Sequence, residues 1–547
     1  MKWKVQNSTP IANLVQLKET LLLNRNIDSS AQFFNPTDPM AITLQDVGID
    51  EQNFSKSIKR INQAIEKNEK IIIFGDYDAD GICATATLWT TLNHLKAKVF
   101  PFIPHREKHG YGLSLVALEE ILSQGKPDLV ITVDNGIVAF EAVKFLTDQK
   151  IDVIVSDHHQ PEVEQLVPIF PQAFSIVHST KLCGASVAWM ISRGLNPEFA
   201  HSILDLSGIA TIADQVPLTE ANRSFAKFGL EYLRQTKRPG LLALLEKAKI
   251  KPSDIDEGKV NFIIAPRINA MGRLEHGLEA LRLLCTNNQK QAIELSEMLD
   301  QTNSRRKDLT ADMVSQAIKQ DESWESEHII IVASPSYHEG VIGLIAGKLS
   351  EKYGKPAIAI SVGETTAKAS ARSIPGINIV NLIRKLQSDL LAVGGHPMAA
   401  GFGFESSKLE LVTQKLRKLA MTEIDPLLLD RVITLDCVLP LTMINQQTYQ
   451  LIAEFEPFGQ FNSVPDFLIP NVSIMDFKLI GQDGVHLKMW LKSPLGSLVA
   501  LGWNKAYLSQ QLEVGATIDL AANLSLNQWN GKVEVQLLIK DLKKSES

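Results

Sequence analysis

The segment KIIIFGDYDADG at residues 70–81 gives the clearest indication of the fold class of this chain. Its four consecutive apolar residues, IIIF, have the length and composition of a strand that is buried on both faces. Three aspartates and two glycines follow within the next seven residues. The same pattern, an apolar run that ends in acids, recurs in DLVITVDNG at 128–136 and IDVIVSDHH at 151–159. We therefore expect strands whose carboxyl ends carry acidic side chains.

Two further apolar runs, VFPFI at 99–103 and FSIV at 174–177, alternate with helical patterns in the same region. This alternation predicts an α/β domain with a mostly parallel sheet. In such sheets ligands collect at the carboxyl ends of the strands, so residues far apart in sequence can converge there. The side chains that we expect to converge are Asp76, Asp78, Asp80, Asp134, Asp157, His158 and His159.

Carboxylates packed this closely repel one another, so the predicted cluster requires bound cations. Oxygen ligands with one or two imidazoles suit Mn²⁺ or Mg²⁺. The spacing of Asp78 and Asp80 places both acids on one side of an extended segment, where they can serve two ions. Two such ions can activate water and stabilise the leaving oxygen of a phosphodiester. A single D-x-D or D-N-G is usually an ordinary turn, but the combination at successive strand ends favours a metal site.

The composition indicates the cellular compartment and the kinds of partner to expect. The chain has 547 residues, a net charge of −7 and four widely separated cysteines, Cys83, Cys183, Cys285 and Cys437. This pattern indicates neither a disulfide framework nor a structural zinc site. No apolar run is long enough for a membrane span or a signal peptide, so we expect a cytoplasmic protein without a membrane partner. Binding of nucleic acid would have to rely on local basic clusters.

The spacing of apolar residues changes several times along the chain. A second α/β pattern begins at HIIIVAS (328–334), and period-two segments typical of a small antiparallel barrel follow after about residue 425. We expect two α/β lobes joined by a long helix, followed by an all-β barrel. The predicted divisions are 1–60 as an N-terminal helical segment, 61–240 as the first α/β domain, 241–325 as a helical connector, 326–424 as the second α/β domain and 425–547 as the barrel.

The motifs DYDADG, VDNG, SDHH and IATIADQVPL resemble the four acidic motifs of the DHH phosphoesterase superfamily. The resemblance makes residues 61–240 the DHH catalytic domain. It implies that the metal ligands are Asp78, Asp80, Asp134, His158 and Asp214. It also implies that His159 contacts the scissile phosphate and that Asp76 and Asp157 orient ligands or the attacking water. Some superfamily phosphatases carry a histidine at the position of Phe74, and its absence here favours the nuclease branch.

The segment APRINAMGRLE at 265–275 is similar to a signature of the RecJ family of exonucleases. Arg267, Asn269 and Arg273 suit contacts to phosphates along a nucleic-acid strand. The alternative is an arginine pair buried against acids within the connector.

The motifs KASARS (368–373) and GGHPMAAGF (394–402) resemble the DHHA1 substrate-binding domain. By this resemblance, the second α/β domain would hold phosphates through Ser370, Arg372, Gly394, Gly395 and His396. Arg106 stands where RecJ-like proteins carry an arginine. Together with Ser370 and Arg372 it would form a pocket for a 5′-terminal phosphate.

The C-terminal region resembles the OB domain of RecJ proteins, which would grip a single strand by base stacking. Trp490, Trp503 and Trp529 are the candidate stacking residues, although a tryptophan on a barrel strand is at least as often in the core. The segment EPFGQFNSVPDF departs from the usual family form at Phe461 and Ser463.

The resemblance as a whole implies a single-stranded-DNA-specific 5′→3′ exonuclease that releases 5′-mononucleotides by two-metal hydrolysis, in DNA repair and recombination. The expected partners are single-stranded DNA, a helicase and a strand-binding protein, and the expected state is a monomer. One alternative is a phosphodiesterase for cyclic dinucleotides or short oligonucleotides. An alternative of another class is a non-catalytic subunit that binds single strands.

Overall fold

A computed structural model describes residues 2–110, 112–164, 167–320, 324, 326–494, 496–529 and 532–545. The chain divides into two compact units. The large unit comprises Trp3–Gly272, His276–Glu297 and Thr434–Ser547, and the small unit comprises Met1–Lys2, Arg273–Glu275 and Met298–Ile433. Among the described residues, no helix combines the length and apolarity needed to cross a membrane.

The N-terminal region begins with a strand, where the sequence pattern predicted mostly helix. Its elements are β1 (Lys2–Pro10), α1 (Leu14–Asn24), α2 (Ser30–Phe34) and α3 (Glu51–Glu66). Strand β1 lies at the edge of the sheet that forms the C-terminal barrel. The strand was missed because its partner is more than 400 residues away along the chain, so no local pattern specifies it.

The first α/β domain has the predicted parallel sheet. Its elements are β2 (Ile71–Phe74), α4 (Ala79–His94), β3 (Val99–Phe102), α5 (Arg106–His109), α6 (Leu115–Ser123), β4 (Leu129–Val133), α7 (Phe140–Asp148), β5 (Asp152–Asp157), β6 (Glu162–Glu164), β7 (Val167–Ile169) and β8 (Ser175–His178). The strand order is β3-β2-β4-β5-β8, and every neighbouring pair is parallel. All residues of β2 and β4 are buried, as the continuous apolar runs require.

A series of helices follows: α8 (Gly184–Leu195), α9 (Pro197–Ser202), α10 (Leu204–Ala213), α11 (Glu220–Arg234), α12 (Pro239–Lys247), α13 (Glu257–Lys259), a π-helical turn (Val260–Ile264), α14 (Ala265–Leu274), α15 (Leu278–Cys285) and α16 (Gln289–Ile318). The predicted connector over 241–325 is a series of helices, of which α16 is the longest, and a break separates α15 from α16. The Asn288 side chain accepts the Gln291 N–H at 3.1 Å, which caps the start of α16.

The second α/β domain lies in the small unit. Its elements are β9 (Ile330–Ser334), α17 (Ile342–Tyr353), β10 (Ala357–Val362), β11 (Thr366–Arg372), α18 (Ile379–Arg384), β12 (Ala392–His396), β13 (Ala399–Glu405) and α19 (Leu409–Glu423). The strand order is β12-β13-β11-β10-β9, and only the β9–β10 pair is parallel. The glycine-rich segment after residue 393 therefore forms paired strands.

The C-terminal region is the expected barrel. Its elements are β14 (Val432–Val438), α20 (Gln446–Ala453), β15 (Phe467–Ile480), β16 (His486–Ser493), β17 (Gly496–Gly502), β18 (Thr517–Trp529) and β19 (Lys532–Lys544). Strands β15, β16, β17, β19 and β18 pair in that order, and the β15–β18 pairing closes the ring. The barrel packs on the helices of the large unit through Arg223 of α11, whose buried guanidinium donates to the carbonyls of Phe33, Phe455 and Glu456.

Candidate metal centre

The carboxyl ends of β2, β4 and β5 bring the acidic motifs together. Asp78 is the N-cap of α4, and its side chain accepts the Gly81 N–H at 3.0 Å. Asp80, in the first turn of that helix, accepts the N–H groups of Gly184 at 2.6 Å and Ala185 at 2.7 Å. These are the first N–H groups of α8, which have no partner within that helix. Helix α8 therefore fixes the carboxylate of Asp80.

Asp134 follows β4 in the left-handed region, with φ of 61°, and is 2% exposed. Its position depends on Gly184, because a Cβ at residue 184 would lie 2.6 Å from Asp134 Oδ1. The glycine that opens α8 thus lets two metal-site acids approach the same helix start. We did not identify Gly184 from the sequence, and the only local signal is a glycine before an apolar helix.

His158 lies at the centre of the cluster. Its Nε2 is 3.1 Å from Asp134 Oδ1, 3.7 Å from Asp80 Oδ2 and 3.8 Å from Asp214 Oδ2. Asp134 Oδ1 is buried and has no hydrogen-bond partner of good geometry. Such an atom, beside an imidazole nitrogen and further carboxylates, fits coordination to a cation.

Three overlapping groups of side chains place one ligand atom each within 4.8 Å of one another. They are Asp76–Asp78–Asp134, Asp80–His158–Asp214 and Asp134–His158–His159. The structure therefore assembles all five side chains that were predicted as metal ligands. Their oxygen-rich donor set fits Mn²⁺ or Mg²⁺.

The electrostatics of the cluster also indicate a cation site. Burial, together with Asp78, raises the pKa of Asp76 to about 8. Burial, together with Asp80 and Asp78, raises the pKa of Asp214 to about 9. The pKa of the buried Asp134 carboxyl is raised for the same reasons. A bound cation would lower these raised pKa values and keep the carboxyl groups ionised.

His159 and Asp157 form a separate pair beside the cluster. His159 Nδ1 lies 2.8 Å from Asp157 Oδ1, and Asp157 Oδ2 accepts the Ile137 N–H at 2.9 Å. Burial lowers the pKa of His159, but the hydrogen bond and charge of Asp157 outweigh it and raise the pKa to about 9. Asp157 thus orients the imidazole of His159, and its predicted role in orienting ligands or the attacking water stays a prediction.

The signature segment on α14 contacts the acidic loop. Asn269 Oδ1 accepts the N–H of Ala79 at 2.7 Å, and Ala79 lies between Asp78 and Asp80. Gly272 packs so closely that a Cβ there would be 2.3 Å from the Tyr77 carbonyl oxygen. The Asn269 oxygen therefore supports the loop that carries two acids, and the predicted phosphate contact of Asn269 stays a prediction. The supporting role could not be recognised from the sequence, because the two segments are 190 residues apart.

The neighbouring arginines make backbone contacts. Arg267 Nη1 donates to Ile263 O at 2.9 Å within the large unit. Arg273 Nη1 donates to Gly340 O at 3.2 Å within the small unit. The Arg106 guanidinium lies over the Tyr77 ring, 5.4 Å from its centroid. Phosphate binding by these three residues stays a prediction.

In the small unit, the predicted phosphate-binding residues lie on neighbouring strands. Ser370 of β11 is opposite Gly401 of β13, which is opposite Gly394 of β12. Two residues further along β11, Arg372 is opposite Ala399, which is opposite His396; in the row between, Gly395 of β12 pairs with Ala400. Arg372 Nη1 donates to Ser370 Oγ at 3.1 Å. The two side chains are therefore held together, as a shared ligand would require.

The barrel tryptophans differ in their surroundings. Trp490 is partly buried, with the ammonium groups of Lys478 and Lys488 within 5.4 Å of its ring centroid. Trp503 is 53% exposed and makes an edge contact with His486. The Trp529 side chain lies outside the described residues. The basic environment of Trp490 suits contact with a nucleic-acid strand.

The parallel sheet and its acidic strand ends define a protein of the DHH phosphoesterase class. Residues 70–211 match the N-terminal domain of the DHH family, residues 326–422 match the DHHA1 domain and residues 435–541 match the RecJ OB domain. With all three domains present in this order, the chain belongs to the RecJ family.

Proteins with sequence similarity over nearly the whole chain support that assignment. The chain is 34% identical to the single-stranded-DNA-specific exonuclease RecJ of Bacillus subtilis, over 99% of this chain and 70% of the relative. It is 31% identical to the Haemophilus influenzae protein of the same name, over 97% of each chain. The crystal structure of Thermus thermophilus RecJ in complex with Mn²⁺ superimposes with a TM-score of 0.84 at 28% identity, covering all of this chain and 80% of the other.

Proposed function

We propose that this chain is a single-stranded-DNA-specific exonuclease that hydrolyses phosphodiester bonds from the 5′ end and releases 5′-mononucleotides. The observation that carries the proposal is the complete acid–imidazole cluster in a chain that also has a DHHA1 domain and an OB barrel. The named relatives are single-stranded-DNA-specific exonucleases. DNA repair and recombination are the processes that such an activity would serve.

Asp78, Asp80, Asp134, His158 and Asp214 would hold Mn²⁺ or Mg²⁺, with room for two ions. Bound ions would supply Lewis-acid stabilisation of the phosphate charge and lower the pKa of the attacking water. The remaining residues position the reactants. His159, fixed by Asp157, would donate a hydrogen bond to the scissile phosphate, where negative charge develops. Asp76, in the same cluster, would orient the attacking water through hydrogen bonds.

The rest of the chain would hold the strand. Ser370, Arg372 and His396 lie within two residues of one another in the register of one sheet and would bind phosphates, with Gly394 and Gly395 beside them. Arg106, Arg267 and Arg273 would add further phosphate contacts. A pocket for the 5′-terminal phosphate would set the 5′→3′ direction of hydrolysis. The barrel would bind the strand that extends from the site.

The partners and the compartment are also proposals. A helicase and a strand-binding protein would supply and protect the single strand, because the enzyme itself is expected to act only on unpaired DNA. All four cysteines are free in the structure, which is compatible with a reducing cytoplasm. We propose a cytoplasmic monomer.

Asp214→Asn is the most informative variant for a first test. Asp214 caps the end of α10, its side chain is 25% exposed, and the substitution preserves its shape. We expect the purified chain with Mn²⁺ to degrade 5′-phosphorylated single strands, to leave duplex largely intact and to release mononucleotides from the 5′ end. Asp214→Asn should lose most of this activity and remain folded, whereas Asp148→Asn, at an exposed ion pair, should behave as wild type.

The rival activities have distinct results in the same assay. Faster hydrolysis of cyclic dinucleotides than of single-stranded DNA would favour the phosphodiesterase alternative. Binding of single strands without hydrolysis at any metal concentration would favour the non-catalytic subunit. Release from the 3′ end would contradict the proposed polarity.

A further inference from the structure

The loop that carries Asp214 is bordered by two exposed phenylalanines, Phe262 and Phe461. Their side chains are 78% and 73% exposed, whereas Phe100 and Phe170, which are also on the surface, are 47% and 45% exposed. Single exposed apolar residues are ordinary. Two largely uncovered aromatic rings beside one catalytic loop require a separate explanation.

Phe262 is attached to the loop through its neighbour. It lies in the π-helical turn Val260–Ile264, in which the Ala265 N–H donates to Val260 O five residues earlier. The adjacent Asn261 accepts a hydrogen bond from Gln215 Nε2 at 2.8 Å, and Gln215 directly follows Asp214. Turns of this kind often occur at functional sites. The turn therefore places an exposed ring one residue from a direct contact with the Asp214 loop.

Phe461 reaches the same loop from the barrel domain. Gln460 O accepts the Leu218 N–H at 2.9 Å, so the segment before Phe461 pairs with the end of the loop. Phe461 has φ of 62°, a left-handed conformation that is unfavourable for a residue with a side chain. Asn or Gly would adopt it with less strain. A phenylalanine in this position contributes nothing to the core and needs another role.

The Phe461 turn is rigid. Asn462 is fully buried, and its Nδ2 donates to Phe455 O at 2.8 Å and to Pro457 O at 2.9 Å. Gly459 and Asn462 also bond to each other through their backbones. An aromatic ring on a fixed turn is already ordered before a ligand arrives, so stacking costs little conformational entropy.

Both phenylalanine segments are joined to the same loop. Gln215 Nε2 donates to Asn261 Oδ1 beside Phe262, and the Leu218 N–H donates to Gln460 O beside Phe461. The two exposed rings therefore stand next to the two ends of the segment that follows Asp214.

We propose that Phe262 and Phe461 are two stacking positions for unpaired nucleobases of the substrate strand, on the Asp214 side of the metal centre. Nucleobases are the flat apolar surfaces that a single strand offers, and stacking on aromatic side chains tolerates any base sequence. Paired bases are stacked inside the helix and cannot reach these rings. The site would therefore add to the selection of single strands.

This inference rests on the proposed function, and the experiment separates the two. Binding of a fluorescent oligothymidylate is measured by anisotropy in EDTA, without turnover. An otherwise identical oligomer has abasic residues in place of the bases. Loss of one stacked base weakens binding by about 1–3 kcal/mol, or roughly 5- to 150-fold. Phe262→Ala and Phe461→Ala should each show such a loss on the base-bearing oligomer, and Phe262→Trp should restore binding.

The matched control is Phe100→Ala, since Phe100 is an exposed phenylalanine at the start of β3, away from the carboxyl ends of the sheet. It should bind as wild type does. On the abasic oligomer, wild type and both alanine variants should bind equally weakly. Equal losses on both oligomers would mean contact with the backbone and would overturn the proposal, as would alanine variants that bind like the control. If wild type binds the base-bearing oligomer but never hydrolyses it with Mn²⁺, the proposed function fails and the stacking site stands.

Discussion

Substitution of Asn269 can distinguish two roles of the α14 segment, which are support of the acidic loop and contact with a phosphate of the substrate. Its Oδ1 accepts the Ala79 N–H at 2.7 Å, and Ala79 is only 2% exposed. Asn269→Ala would leave that donor without a partner and out of reach of bulk water. A buried unsatisfied donor costs about 1–3 kcal/mol. Because Ala79 lies between Asp78 and Asp80, we expect the cost to appear in the geometry of the metal ligands.

If the full cost falls on metal binding, the affinity for Mn²⁺ should drop by roughly 5- to 150-fold. Calorimetric titration with Mn²⁺ in the absence of DNA measures this directly. Asn269→Asp retains an oxygen acceptor and should bind Mn²⁺ at least as well as wild type. Circular dichroism checks that both variants remain folded. Unchanged Mn²⁺ affinity together with a raised KM for DNA would refute the positioning role and restore the phosphate contact predicted from the sequence.

Three other substitutions test separate parts of the structure. Gly272→Ala would place a Cβ 2.3 Å from the Tyr77 carbonyl oxygen, so the loop next to Asp78 would have to move. A displacement of that loop by about 1 Å should lower kcat about 10²-fold, and a kcat near that of wild type would contradict this prediction. Gly401→Ala meets no atom within 4 Å, so the melting temperature should not change, whereas KM should rise if the substrate lies on that sheet. The Glu456 carboxyl has its pKa raised to about 7 by burial, Glu257 and Asp256, from 4.5 in its ordinary state. The folded state therefore keeps the Glu456 proton to higher pH than the unfolded state, so the free energy of unfolding falls as the pH rises from 4.5 to about 7. After allowance for the partial exposure of this group, Glu456→Gln should raise the free energy of unfolding by about 1–2 kcal/mol at about pH 8 and leave it unchanged near pH 4. Urea unfolding at the two pH values measures this difference.

Much of the catalytic domain could be predicted from local sequence. Short runs of β-branched and apolar residues that end in turn residues are typical of strands buried on both faces, so IIIF and LVITV indicated central strands with Asp78 and Asp134 just after them. The spacing of the acids then indicated a cation site without any tertiary information. The barrel could be predicted for a similar reason, because alternating side chains must face a core on one side.

The features that were missed depend on contacts between distant segments. Strand β1 exists because an edge of the barrel sheet is available to it, and no residue within Lys2–Pro10 encodes that edge. Strand β13, which follows the glycine-rich segment around Gly394, pairs with β12 on one side and with the earlier strand β11 on the other, and phosphate binding by this segment stays a prediction.

The class of fold, the acids at the strand ends and their need for a cation could all be predicted from the sequence, since they follow from burial and from repulsion between like charges. How the acids are held depends on tertiary contacts. The start of α8 fixes Asp80, Gly184 gives Asp134 room, and Asn269 supports the loop between the ligands. These contacts are hydrogen bonds and close approaches between segments about 50 to 190 residues apart, whose partners are set by packing and leave no periodic pattern in the sequence.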